Sequence, residues 1–223
     1  MKVGIMGGTG NIGEGLARRI CLGGKYDVVI GSRESAKAET AADGVVCCLN
    51  DRKCTLTTCS GTTNAGVCDC DIIILSLPFE RLASTIDSIG KAAFENKIVV
   101  SLINPMIRNP KEKYFLPDRP AEGSAALALQ KLLPASAKIC TGFNNVAAGK
   151  WMELDEVLDY SVVVCGDDKE AKKIVMDLVS SVSKLHPLDG GPLAVSGIVE
   201  SITPLVITLA MNNGLKDVGV YFG

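Results

Sequence analysis

The apolar positions of this chain change period several times, and each change predicts an element. Lys2-Val3-Gly4-Ile5-Met6 is a short apolar run closed by glycine, the pattern of a buried strand. Ile12, Leu16, Ile20 and Leu22 then recur at helical spacing until Gly23-Gly24 stops the helix. Tyr26-Asp27-Val28-Val29-Ile30 is a second strand, running into Gly31-Ser32-Arg33. Residues 34–42, rich in Ala, Glu and Lys, predict a helix, and residues 43–50 an irregular stretch or short strand. Thr55, Thr57 and Thr58 mark a third strand over 54–59, with at most a short helix over 63–67. The clearest strand is 71–77, where continuous branched apolar residues suit a parallel strand buried on both faces, ended by Pro78.

Residues 79–91 read as a helix and 98–101 as a strand leading into Leu102-Ile103-Asn104-Pro105. The loop over 106–120, with Pro110, Pro117 and Pro120, is too long for an ordinary connection and predicts a lid or an insertion. A helix over 124–133 and a strand over 138–143, running into Asn144-Asn145, complete the alternation. The fold predicted for residues 1–150 is therefore α/β, a doubly wound Rossmann-type sheet, mostly parallel. From Lys150-Trp151 the character shifts, and 151–223 predict a small C-terminal α/β lobe. It holds a strand over 160–165, a helix capped by Gly166-Asp167-Asp168 and running to about 183, and a short strand over 184–188. A helical tail over 193–213 follows, which Pro204 should kink and Gly214 should end.

Composition narrows the function classes. With 47% hydrophobic and 22% charged residues, the 223-residue chain can bury a sizeable core. Its formal net charge of −2, without a run of either sign, offers nothing to nucleic acid or an anionic membrane. The longest apolar stretches, 71–79 and 198–211, fall short of the roughly 18 residues a membrane span needs or are interrupted by Ser201, Thr203 and Pro204. The chain opens directly on a strand, so a cytoplasmic protein without a signal peptide is expected. Of its 9 cysteines, Cys47, Cys48, Cys54, Cys59, Cys68 and Cys70 cluster. They form no C-x-x-C, and the single histidine is His186, so free thiols filling apolar space are expected rather than a metal centre.

The chemistry begins in Gly7-Gly8-Thr9-Gly10-Asn11-Ile12-Gly13. Gly8, Gly10 and Gly13 give G-x-G-x-x-G between a strand and a helix, the context in which that spacing binds a dinucleotide pyrophosphate. An NAD site wants an acid at the end of the second strand. Ser32, Arg33 and, one turn on, Lys37 stand there instead, a set that suits the 2′-phosphate of NADP. Neither Tyr-x-x-x-Lys nor H-E-x-x-H occurs. Glu200 and Asp189 read equally as caps or solvated residues, and His186 as structural. Hydride exchange between two redox cofactors needs alignment more than an acid or base.

Several segments resemble the archaeal F420-dependent NADP oxidoreductase family: the glycine turn, Gly31-Ser32-Arg33, residues 97–101, Cys165-Gly166-Asp167-Asp168, residues 187–193 and residues 199–205. The resemblance spans nearly the whole chain. It implies reversible hydride transfer between C5 of the coenzyme F420 deazaflavin and C4 of the NADP nicotinamide. It also implies a homodimer and a C-terminal lobe that closes the deazaflavin pocket. By residue match it implies Thr9, Gly10, Asn11 and Ile12 at the phosphates, with Gly8 counted as cofactor-binding through the tight turn it allows, and Ser32, Arg33 and Lys37 at the 2′-phosphate. Leu77, Arg81, Asn104 and Ala148 fall where the family lines the cofactor. Asn144 stands where a relative can carry histidine beside the deazaflavin, a candidate contact that cannot change charge near neutral pH. Two other readings stay open: an NADP-dependent reductase of a small imine or keto compound, and a non-catalytic NADP-sensing module.

Overall fold

The structure is a computed structural model that describes residues 1–223 except Thr55 and Pro110. Thr55 of the expected third strand and Pro110 of the expected long loop thus lie outside the described residues. The first half alternates as predicted: β1 (Lys2–Met6), α1 (Asn11–Leu22), β2 (Asp27–Ser32), α2 (Ser35–Asp51), β3 (Cys59–Thr63), β4 (Ile72–Leu75), α3 (Leu82–Ile89) and β5 (Ile98–Ser101). Then come β6 (Met106–Asn109), β7 (Tyr114–Pro117), α4 (Ala125–Leu132) and β8 (Lys138–Thr141). The last part holds β9 (Tyr160–Val164), α5 (Lys169–Ser181), β10 (Leu185–Asp189), α6 (Ser196–Glu200) and α7 (Ile202–Asn213).

Six strands form one parallel sheet in the order β3-β2-β1-β4-β5-β8, the doubly wound arrangement of the Rossmann fold. β4 and β5 are buried along their whole length, as their unbroken apolar runs require. One apolar core covers one face of the sheet with α1, α2 and α5, joining Val3, Ile5 and Leu16 to Trp151, Val162 and Val175. A second covers the other face with α3 and α4, around Phe94, Leu82 and Leu129. β9 and β10 pair parallel in a sheet of their own, and a single bridge between Cys140 and Gly166 connects them to the edge of the large one.

Three elements depart from the sequence pattern. α2 runs on to Asp51 through residues 43–50, because Ala38, Ala41, Ala42, Val45 and Leu49 make one buried stripe. That stripe outweighs the cost of Gly44 in a helix, about 1 kcal/mol. β3 consequently starts later, pairing Cys59 with Val28. The stretch over 106–120 contains a two-stranded antiparallel hairpin, β6 with β7. Asn109 supports its turn, accepting the N–H groups of Lys111 (3.1 Å) and Glu112 (3.2 Å), and Thr208 Oγ1 accepts the Phe115 N–H at 2.8 Å, pinning it to α7.

The helical tail has the bounds the sequence predicts, 193–213, and its apolar character extends beyond residues 198–211. Residues Leu193–Asn213 are helical over 21 residues, and an 18-residue window within them has a mean hydropathy of 1.8, so by length and composition alone this stretch could cross a membrane. It breaks at Ser201. Pro204 explains the break: its ring cannot follow the carbonyl of Glu200, four residues earlier, but fits the first turn of a new helix. Gly214 closes α7 with φ +63°.

Candidate active site

The sheet order reverses between β1 and β4, and the carboxyl ends of strands at such a point form a crevice. The glycine turn enters it. A Cβ on Gly13 would lie 2.5 Å from the Gly8 Cα, so helix and turn touch backbone to backbone. Gly10 has the opposite surroundings: nothing lies within 4 Å of a Cβ placed there. Gly10 is also the N-cap of α1, and no side chain caps that helix. Elsewhere Ser124 caps α4 through the Leu127 N–H at 2.9 Å, and Asp168 caps α5 through the Ala171 N–H at 2.8 Å. A buried-faced helix with free N–H groups and an open glycine at its start fits a bound phosphate.

Asn64 stitches this turn to β2, a role the sequence did not reveal. Its Oδ1 accepts the Gly7 N–H at 3.1 Å, and its own N–H donates to the Ser32 carbonyl at 2.8 Å. Its signal was hidden because the strand before it was expected several residues too early. Ser32 is buried at the end of β2, and Arg33 is exposed beside it. Lys37, one turn into α2, is exposed and pairs with Glu34 at 2.8 Å, which holds the Glu34 carboxyl below its ordinary range.

From the turn a cavity of about 940 Å³ runs across the strand ends to α7. Gly10, Asn11, Ile12, Leu77, Asn104, Asn144 and Ala148 line it. Gly8, Thr9, Ser32, Arg33 and Lys37 stand beside its glycine-turn end without lining it, and Arg81 is exposed next to the lining residue Glu80. The far wall is Thr203, Val206, Ile207, Ala210 and Met211 of α7, with Leu215 and Val218 beyond it. These wall residues were not singled out from the sequence, where an apolar tail shows no preferred face.

The corner after β8 is the cavity's floor. Phe143 is buried with φ +63°, a conformation uncommon for a side-chain-bearing residue, and its ring meets Trp151 edge-on at 5.8 Å. Asn144 holds this corner. Its Oδ1 accepts the Gly142 N–H at 3.0 Å, and its Nδ2 donates to Asn104 Oδ1 at 3.1 Å and to the Ile103 carbonyl at 3.3 Å. The Asn144 carbonyl in turn accepts from Asn104 Nδ2 at 2.8 Å and Thr203 Oγ1 at 2.6 Å. The Asn144 side chain is thus engaged within the protein.

The other candidates lie outside the cavity lining. Glu200 is a buried cap whose carboxylate accepts the first N–H groups of α4; burial pushes its pKa up to about 7 against the pull of those bonds. Asp189 pairs with Lys172 at 2.6 Å, and His186 meets Asp159 at 2.8 Å, exposed. All nine cysteines are free thiols. Burial pushes Cys68 up to about 11 and Cys140 up to about 12, as expected of inert fillers. Among the described residues no cluster has the makings of a metal site.

Sheet, turn and cavity define a dinucleotide-binding protein of the doubly wound α/β class. Comparison with known proteins refines this. Residues 2–105 match the family described as NADP oxidoreductase, coenzyme F420-dependent. An F420-dependent NADP reductase of Methanocaldococcus jannaschii is 37% identical over 99% of this chain and 97% of its own length. In fold, the chain is similar to a crystal structure from Arthrobacter sp. FB24, provisionally designated an F420-dependent NADP-reductase, with a TM-score of 0.78, 20% identity and coverage of 100% and 99% of the two chains. A reductive aminase from Aspergillus terreus in complex with NADPH and ethyl-5-oxohexanoate shares the fold at a TM-score of 0.65 and 15% identity, covering 96% of this chain but 63% of that one. The chain belongs to the coenzyme F420-dependent NADP oxidoreductase family.

Proposed function

We propose that this chain moves a hydride, reversibly, between C4 of the NADP nicotinamide and C5 of the coenzyme F420 deazaflavin. The observation that carries this reading, beside family membership, is the single cavity with two unlike ends. One end is the uncapped start of α1; the other is the apolar face of α7. No Tyr, His or Lys is among the described residues that line it, and its titratable lining groups are the carboxylates Glu80 and Asp217. The two bound cofactors supply the redox chemistry. The chain binds them, aligns their rings and keeps water out.

In this reading Gly8, Thr9, Gly10, Asn11 and Ile12 hold the NADP phosphates. Ser32, Arg33 and Lys37 hold the 2′-phosphate, and Leu77, Arg81, Asn104 and Ala148 border the cofactor. Asn144 keeps the strained Phe143 corner in place under the deazaflavin. Residues 1–150 form the NADP-binding part, and 151–223 close the deazaflavin pocket. The active form is a cytoplasmic homodimer acting on small-molecule cofactors, with neither nucleic acid nor a membrane as partner. Support for the dimer comes from the exposed apolar side chains Ile107 and Leu116 on the hairpin and Leu205 and Leu209 on α7, two elements that pack together.

The test is to mix the purified protein with NADPH and oxidised F420 under anaerobic conditions and follow the visible absorbance of the deazaflavin. Bleaching supports the reading; no bleaching with NADPH demonstrably bound overturns it.

A further inference from the structure

After α7 the chain doubles back as a strap over the cavity. Leu215, Asp217 and Val218 line the cavity. The strap is tied down at three points. Tyr160 Oη donates to the Asp217 carbonyl at 2.9 Å, the Ser161 N–H donates to the Val220 carbonyl at 2.8 Å, and the Phe222 N–H donates to Ser161 Oγ at 2.9 Å. Asp217 itself sits at φ +48°, so its backbone is set in the left-handed region. Its carboxylate lies against Gly149: a Cβ added there would be 2.3 Å from Asp217 Oδ1 and 3.1 Å from Oδ2. Gly149 follows Ala147 and Ala148 along the same cavity wall.

The charge pattern is unusual. Glu80 and Asp217 are the charged side chains among the described lining residues, and both are anionic. Glu80 is exposed and therefore screened; Asp217 is half-buried. Among the described residues no hydrogen-bond donor or cation meets the Asp217 carboxylate. The nearby Lys150 ammonium is held by Glu153 and Glu156 instead. An unpaired carboxylate fixed in a cavity wall favours a ligand that carries positive charge there. Of the rings the proposed function brings into this cavity, the oxidised nicotinamide is a pyridinium cation, and its reduced form is neutral.

We infer that the Asp217 carboxylate faces the positive charge of the oxidised nicotinamide and sets the protein's preference between NADP⁺ and NADPH. This rests on the NADP reading of the cavity. It makes Asp217 a residue that tunes the balance of the reaction by holding the hydride-depleted form of the nucleotide more firmly.

Asp217→Asn removes the charge and keeps the shape, and Asn tolerates the left-handed region as well as Asp does. Dissociation constants of NADP⁺ and NADPH should be measured without F420, by calorimetry and nucleotide fluorescence. The variant should bind NADP⁺ about fivefold more weakly, the scale of one charge contact in a solvated cleft, with NADPH unchanged. Equal weakening of both forms, or of neither, would overturn the inference. In the unaltered protein, the ratio of the two affinities should fall as salt rises; the phosphates are common to both forms, so a ratio indifferent to salt would also contradict it. If neither nucleotide binds the unaltered protein, the NADP reading itself fails and takes this inference with it.

Discussion

Glu200 Oε2 accepts the backbone N–H of Ala125 at 2.8 Å, and its Oε1 accepts that of Ala126 at 3.0 Å, so the last residue of α6 caps α4 across 75 positions of chain. A carboxylate raised to about 7 in the folded protein keeps its proton where the unfolded chain, near its ordinary 4.5, has released it. Between those values the folded state binds more protons, so stability falls as pH rises through the window. The shift corresponds to about 3 kcal/mol. Denaturant melts at pH 5 and pH 8 should show this slope, and Glu200→Gln should flatten it. A slope unchanged in the variant would assign it to other groups.

Gly10 and Gly13 separate binding from folding. Gly13→Ala drives a methyl into the Gly8 backbone and should cost roughly 1–3 kcal/mol of stability together with NADPH affinity. Gly10→Ala meets no protein atom within 4 Å, so its melting temperature should match the unaltered protein while NADPH binding weakens. A loss of stability in Gly10→Ala would show that the turn is packed rather than open.

Arg33 is exposed at the end of β2 and belongs to none of the ion pairs among the described residues, whereas Lys37 shares its charge with Glu34. Arg33→Ala should therefore weaken NADPH by about 2 kcal/mol, the scale of a hydrogen bond to a charged group, and leave NADH nearly unchanged. Equal losses for both nucleotides would remove Arg33 from the 2′-phosphate.

Arg19 is buried, and its guanidinium donates to the carbonyls of Lys150 (2.7 Å), Trp151 (3.0 Å), Glu153 (2.6 Å) and Glu156 (3.4 Å). Burial draws its pKa down. Arg19→Met leaves those carbonyls without a donor and should destabilise the protein by about 3 kcal/mol or more. Hydrogen exchange should speed up first over residues 150–156; uniform acceleration would mean that the clamp is not local.

How much the sequence disclosed depends on where each signal sits. β1, the glycine turn and α1 were legible because strand, turn and helix each announce themselves within a few residues. Gly8 and Gly10 are marked by their spacing alone. The second half of α2 was not legible, because Asp43-Gly44 looks like a breaker and only the buried stripe from Ala38 to Leu49 overrules it. That error displaced β3 and hid Asn64. The α7 wall escaped notice because Val206, Ile207 and Ala210 face the cavity while Leu205 and Leu209 face outward, and all of them are apolar. Asp217 carries no local pattern at all. Its position depends on a tie from Tyr160, 57 residues away.

Direct transfer between two rings in one cavity is the central claim, and isotope tracing tests it most directly. NADPH deuterated at the transferred C4 position should be mixed with oxidised F420 and the protein in ordinary water, and the reduced deazaflavin examined by mass spectrometry. The account predicts one deuterium at C5 of the product. Product carrying only solvent hydrogen at C5 would contradict it.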